Sequence, residues 1–131
     1  MQDFNHIPQA IEAMERAAKE ITAKAAMDVE AAAKGMAAVD TGFMRSAIYT
    51  VTADGSTYGQ GVSGNGNLEP ELSEGTDDGQ TAWVVAGADY SIYVEMGTVH
   101  GSAQPFMAPA ADQVQPSYEA AWEKLQEAMS V

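Results

Sequence analysis

Residues 88–112 read ADYSIYVEMGTVHGSAQPFMAPAAD, and the rest of the chain is organised around this stretch. Between Tyr90 and Met96 the side chains of Tyr90, Ile92, Tyr93, Val94 and Met96 are apolar and dense enough for burial, and the 93/96 spacing suits one or two turns of helix. Gly97 stops that helix, because without a Cβ it adopts the positive φ of a helix-closing position at little steric cost. A small polar loop, Thr98 to Ala103, leads into Gln104-Pro105-Phe106-Met107-Ala108-Pro109. Each proline fixes its own φ and disfavours helix at the residue before it, which predicts an extended, stiff run presenting Phe106 and Met107.

On the N-terminal side of this stretch, Thr81-Ala82-Trp83-Val84-Val85-Ala86-Gly87 is apolar and β-branched and predicts a strand, with Trp83 in the core or on a sheet face. Ala47 to Thr52 alternates in the same way. The two strands, within 46–53 and 81–88, are joined by a loop and not by a crossover helix, which favours antiparallel pairing. On the C-terminal side, Pro109 to Met129 is helical, with Val114, Tyr118, Trp122, Leu125 and Met129 on one stripe and Pro116 predicted to kink or restart it. Near the start, after a loose segment 1–6, Ile7, Ile11, Met14, Ala18, Ile21, Ala25, Val29, Ala32 and Met36 recur at steps of four and three, one face of a helix on the order of 40 Å long. That is more than a domain of 131 residues can cover, so the helix either serves the core alone or also packs on a neighbouring subunit. The fold class is α+β: a small antiparallel sheet packed by a long N-terminal helix and a C-terminal helix, in a single domain over 1–131.

From Asp54 to Gln80 there are seven glycines and six carboxylates in 27 residues, the composition of a mobile loop or a long hairpin. Gly59, Gly61 and Gly64 match the spacing of a dinucleotide fingerprint, but no helix follows to hold a pyrophosphate. The carboxylates from Glu69 to Asp78 lack the order of a calcium loop, which favours a solvated acidic loop over a cation site. Overall the chain carries 19 acidic and 6 basic residues, a formal charge of −13, and from Ser46 to Glu123 there is no Lys or Arg. A surface of that kind cannot neutralise phosphates, which argues against gripping nucleic acid. It serves solubility, or it forms a wall past which DNA slides.

Catalytic chemistry is hard to find. There are no cysteines, His6 and His100 have no partner at ligand spacing, and no serine stands in a nucleophile elbow. Glu95, the one acid inside an apolar run, is expected to cap backbone or meet a subunit partner and not to act as a base. No apolar run reaches the length of a membrane span, and the N-terminus lacks the pattern of a signal peptide, so the expected location is cytoplasmic. Neither a cofactor nor a metal is expected.

Two motifs carry a resemblance. The run Tyr90-x-x-Tyr93-Val94-Glu95-Met96-Gly97-Thr98 with Gln104-Pro105-Phe106-Met107-x-Pro109-Ala110, and upstream Asp40-Thr41-Gly42-Phe43-Met44-Arg45-Ser46-Ala47-Ile48, resemble the signature of the gp-ten-like tail-component, or neck, proteins of long-tailed bacteriophages. Ala108 stands where that family usually has a basic residue. The resemblance implies a non-enzymatic virion protein, a ring-forming neck or tail-completion subunit that joins head and tail. Its partners would be further copies of itself and head-closure, tail-terminator or tail-tube proteins, with DNA passing but not gripped. It would assemble in the host cytoplasm and reside at the head–tail junction or in the tail. The interface it implies comprises Arg45, Tyr93, Glu95, Gly97, Thr98, Gln104, Pro105, Phe106 and Pro109. Two of these keep a second reading: Arg45 as a surface ion pair, and Phe106 as core. The alternative function is a stand-alone acidic protein-binding module or a small hydrolase.

Overall fold

A thirty-residue helix, α1 (Ile7–Met36), opens the computed structural model. Residues 7–37, 42–64, 66–72 and 79–129 are described; His6, Asp40, Thr41 and the acidic residues Glu74, Asp77 and Asp78 lie outside them. The helix is the one its periodicity predicts, but its buried line runs beside the expected face, through Ala18, Thr22, Ala26 and Ala33. Small side chains there let the final helix, α4 (Met107–Met129), approach closely. One cavity joins Ala17, Ile21 and Ala25 of α1 to Val114, Tyr118 and Ala121 of α4, and higher positions on one helix meet lower positions on the other. The two therefore run in opposite directions. Ile7 and Ile11 stay half-exposed, because α1 outreaches the body it packs on.

Between these helices the chain makes a single helical turn, α2 (Phe43–Ser46), and three strands, β1 (Ile48–Thr52), β2 (Gly55–Ser56) and β3 (Trp83–Ala86). The sheet is antiparallel with order β2-β1-β3, and Ile48 to Val51 face Ala86 to Trp83. β3 is thus an edge. Trp83 lies on an exposed part of the sheet. The buried Thr50 at the centre of β1 is satisfied from α1: its hydroxyl donates to Glu30 Oε1 at 2.9 Å, Thr57 donates to the same oxygen at 3.3 Å, and Lys34 approaches Oε2 at 3.5 Å.

The described residues of the 54–80 span, 54–64, 66–72 and 79–80, are less loop-like than its composition. β2 pairs back onto β1, and Leu68 bridges to Ala88, with Glu69 N–H donating to Gly87 O at 2.8 Å and Asp89 N–H to Asn67 O at 3.0 Å. Tyr49 Oη accepts from Leu72 N–H at 2.9 Å. Gly66 lies against the Phe43 ring, where a Cβ would fall 2.3 Å from a ring carbon, so this glycine serves packing. Gly59, Gly61 and Gly64 all have positive φ, and among the described residues the next helix begins at Ser91.

Two expectations about the C-terminal third need correction. Of the kink or restart expected at Pro116, the restart does not occur: α4 is one helix through Pro116, which stands at an exposed position. The extended run ends at Phe106, and Pro109 sits in the first turn of α4, where its missing N–H has no intrahelical partner to lose.

The core gathers Ala33, Ala37, Phe43, Met44, Ala47, Ile48, Ala88, Phe106 and Ala110. Phe106 is 0 % exposed, so it belongs to the core and is not a presented anchor. Phe106→Ala is expected to lower the stability of the isolated chain by about 3–5 kcal/mol, read from urea unfolding; an unchanged midpoint would contradict this placement.

Candidate functional site

The stretch that organises the sequence forms one corner of the molecule. A short helix, α3 (Ser91–Met96), follows β3, and Gly97 ends it with φ 82 and ψ 170. The positive φ is as expected, but this ψ sends the chain straight out instead of wrapping it over the helix end, a conformation essentially confined to glycine. A Cβ there would also lie 2.8 Å from Ala103 N. Residues 98–101 close a tight turn: Thr98 N–H donates to Gly101 O at 2.9 Å, Gly101 N–H to Thr98 O at 3.3 Å, and His100 N–H to Thr98 Oγ1 at 3.2 Å. Gln104 N–H then returns to Val94 O at 2.8 Å.

Glu95 locks this corner to α4. Its Oε1 accepts from Phe106 N–H and Met107 N–H, both at 2.9 Å, and its Oε2 from Ala108 N–H at 3.2 Å. These are N–H groups at the start of a helix, which have no intrahelical acceptor, and a negative charge there also meets the positive end of the helix dipole. Desolvation pushes the carboxyl up, but the donors Met107, Phe106 and Ala108 together outweigh it and hold Glu95 below its ordinary value of 4.5. Of the roles expected for Glu95, the structure shows the backbone cap.

The outer side of the corner is apolar and uncovered. Exposure is 60 % at Ile92, 60 % at Tyr93, 71 % at Met96 and 97 % at Val99. The apolar density of 90–96 predicts burial; for Ile92, Tyr93 and Met96 the structure reverses it, because a six-residue helix has one inward side and Ser91, Val94 and Glu95 occupy it. Residues 96–111 carry no Asp, Glu, Lys or Arg. Of the expected interface residues, Tyr93, Gly97, Thr98, Gln104, Pro105 and Pro109 belong to this corner, with Glu95 and Phe106 beneath it. Arg45 lies on α2, half-buried, its Nε enclosed and without a hydrogen-bond partner among the described residues. Among the described residues no three His, Asp or Glu side chains gather as a metal site, and no helix is long and apolar enough to cross a membrane.

The sequence reading missed a groove of about 430 Å³ between α1, α4 and residues 80–84, lined by Thr22, Ala25, Val29, Val84 and Val114 among others. Thr22 is buried there and its hydroxyl has no hydrogen-bond partner among the described residues. Only its polarity within an alanine-rich helix face marks it in sequence.

The Glu95 cap has a pH signature. A carboxyl whose folded value lies below its ordinary one stabilises the fold above pH 4.5, and that contribution is lost as pH falls through the lowered folded value. Glu95→Gln is expected to cost about 1 kcal/mol at neutral pH. The gap between parent and variant should shrink as pH drops below 4.5. Paired urea titrations across pH measure this; a gap independent of pH would contradict the cap.

Residues 2–97 match the profile of a family described as "Bacteriophage HK97-gp10, putative tail-component". The matched span includes α2, the sheet and α3, and stops at Gly97; Gln104 to Pro109 lie beyond it. No curated protein and no solved structure matches the chain significantly. With well over half its length matched, the chain belongs to the HK97-gp10-like family of bacteriophage tail components, structural proteins of the virion.

Proposed function

We propose that this tail component is a ring-forming neck or tail-completion subunit that joins head and tail and leaves a passage for DNA. The observation that supports it is the apolar corner of α3 and its turn, where Ile92, Tyr93, Met96 and Val99 stand exposed on a backbone pinned by Glu95 and Gly97. Soluble monomers seldom leave large apolar side chains grouped on a rigid support. Preordered side chains lose little entropy on binding, so such a corner suits subunit contact. Tyr93, Gly97, Thr98, Gln104, Pro105 and Pro109 form the contact, with Glu95 and Phe106 supporting it from inside. Arg45, whose Nε is enclosed without a hydrogen-bond partner among the described residues, takes a carboxylate of a neighbour. Further partners are head-closure, tail-terminator or tail-tube proteins. The carboxylates line the passage and repel the duplex at every point, which keeps it free to move, since affinity for DNA grows with the phosphates a protein neutralises. The role is structural and not enzymatic, in the virion at the head–tail junction or in the tail, after assembly in the host cytoplasm.

The double variant Tyr93→Asp, Met96→Asp places two charges on the exposed corner without touching the core. It is expected to keep the parent's helix content and melting temperature while losing assembly, measured as mass by light scattering and as incorporation into particles. Full assembly of this variant would overturn the contact. Tight binding of the parent to duplex DNA at physiological salt would overturn the passage.

A further inference from the structure

We infer that the outer flank of β3 pairs with an extended segment of a second protein, a segment apolar on the side toward α1 and basic on the other. This goes beyond the ring reading and does not require it. The pairing pattern of the sheet fixes which backbone groups are available. Gly87 N–H donates to Ala47 O at 3.2 Å, so Ile48 and Ala86 face each other as a pair that exchanges no hydrogen bonds. The same holds two residues along, where Thr50 faces Val84. There the Thr50 N–H donates to Thr57 Oγ1 and its carbonyl accepts from Thr57 N–H, both at 3.0 Å, so both groups point to the β2 side. The N–H and C=O groups of Val84 and Ala86 therefore point away from β1, and none meets a partner among the described residues. Two donors and two acceptors on alternate residues are the template for one more strand.

The surroundings state what that strand carries. Val84 and Ala86 pack against the core, and Trp83 and Val85 alternate to the other face. Residues bonded to Val84 and Ala86 thus turn their side chains to the α1 side, where a groove of about 430 Å³ is lined by Ala26, Val29, Val84 and Val114 among others. None of the lining residues is charged, so apolar side chains suit these positions. On the opposite face the alternate side chains of the incoming strand come beside Trp83, which is 41 % exposed. An ammonium or guanidinium over that indole gains a cation–π contact. Net charge favours the same residues, since the chain carries −13 and has no Lys or Arg from Ser46 to Glu123 to repel them.

A second copy of this chain suits the flank poorly. Edge strands are commonly guarded against self-pairing by Lys, Pro or a bulge. Residues 81–87 contain no charge and no proline, and the register of β3 on β1 is unbroken. The guard here is net charge, which opposes another copy and attracts a basic segment. Nor do the exposed residues Ser102 to Pro105 offer a matching strand, because Pro105 has no N–H and Gln104 N–H is bonded to Val94 O.

The probe is the synthetic peptide acetyl-Lys-Val-Arg-Val-Lys-Val-amide, added to the full chain and followed by residue-resolved amide hydrogen exchange. Exchange at Val84 and Ala86 is expected to slow about tenfold when free peptide reaches about ten times its Kd. A peptide of the same sequence and charge, N-methylated at its valines, has lost the N–H groups that would face β3. It is expected to bind at least about tenfold more weakly. If the first peptide does not bind at millimolar concentration, the flank is not a docking edge. The same follows if it binds while Val84 and Ala86 exchange as in the free chain, or if the N-methylated peptide binds equally well, because charge alone would then hold it. Slowing of these two amides when the chain alone is concentrated would assign the flank to a second copy and overturn the basic partner.

Discussion

The corner of this molecule depends on one carboxylate. Glu95 accepts three backbone N–H groups at the start of α4, and those groups have no other acceptor within their own helix. Because the same residue belongs to α3, the bond set fixes two helices relative to one another and holds Phe106 between them as the chain turns. With Phe106 seated, Ala110 follows one helical turn later into the same core and α4 is aligned along α1. A capping interaction that in most helices is local and modest here sets the path of more than a quarter of the chain.

How much of this was legible in the sequence differs by element. The strong 3.6-residue period of α1 and the β-branched runs around Val51 and Val85 gave both type and position, because periodicity and propensity there agree with tertiary packing. Pro109 misled, since the penalty before a proline is a tendency and the Glu95 cap overrides it within the first helical turn. The apolar density of 90–96 predicted burial, but composition cannot tell a residue wanted by its own core from one wanted by another molecule. Only the inward direction of Ser91, Val94 and Glu95 separates the two cases, and that requires coordinates. The glycines of 59–66 were ambiguous for a similar reason: Gly66 answers to the ring of Phe43, more than twenty residues away.

Acidity and apolarity are partitioned in this chain, not mixed. Residues 96–111 of the corner and the lining of the groove carry no carboxylate, as is also true of residues 55–68. Like charge disfavours contact between acidic surfaces more than between neutral ones. Glu30, at the other end of the sheet, shows the inward use of the same residue type: it accepts from Thr50 and Thr57 and ties the sheet to α1.

The flank of β3 that pairs with no other described strand bears on the solubility of the chain. An unpaired strand is a template on which further strands can stack without limit, the route to fibrous deposits. Here the flank spans Trp83–Ala86, four residues, and just past it residues 67–69 pair with 87–89. So short a template gives an incoming strand few backbone bonds, and the negative charge of each chain opposes its approach. The sheet can therefore remain open at one side without growing.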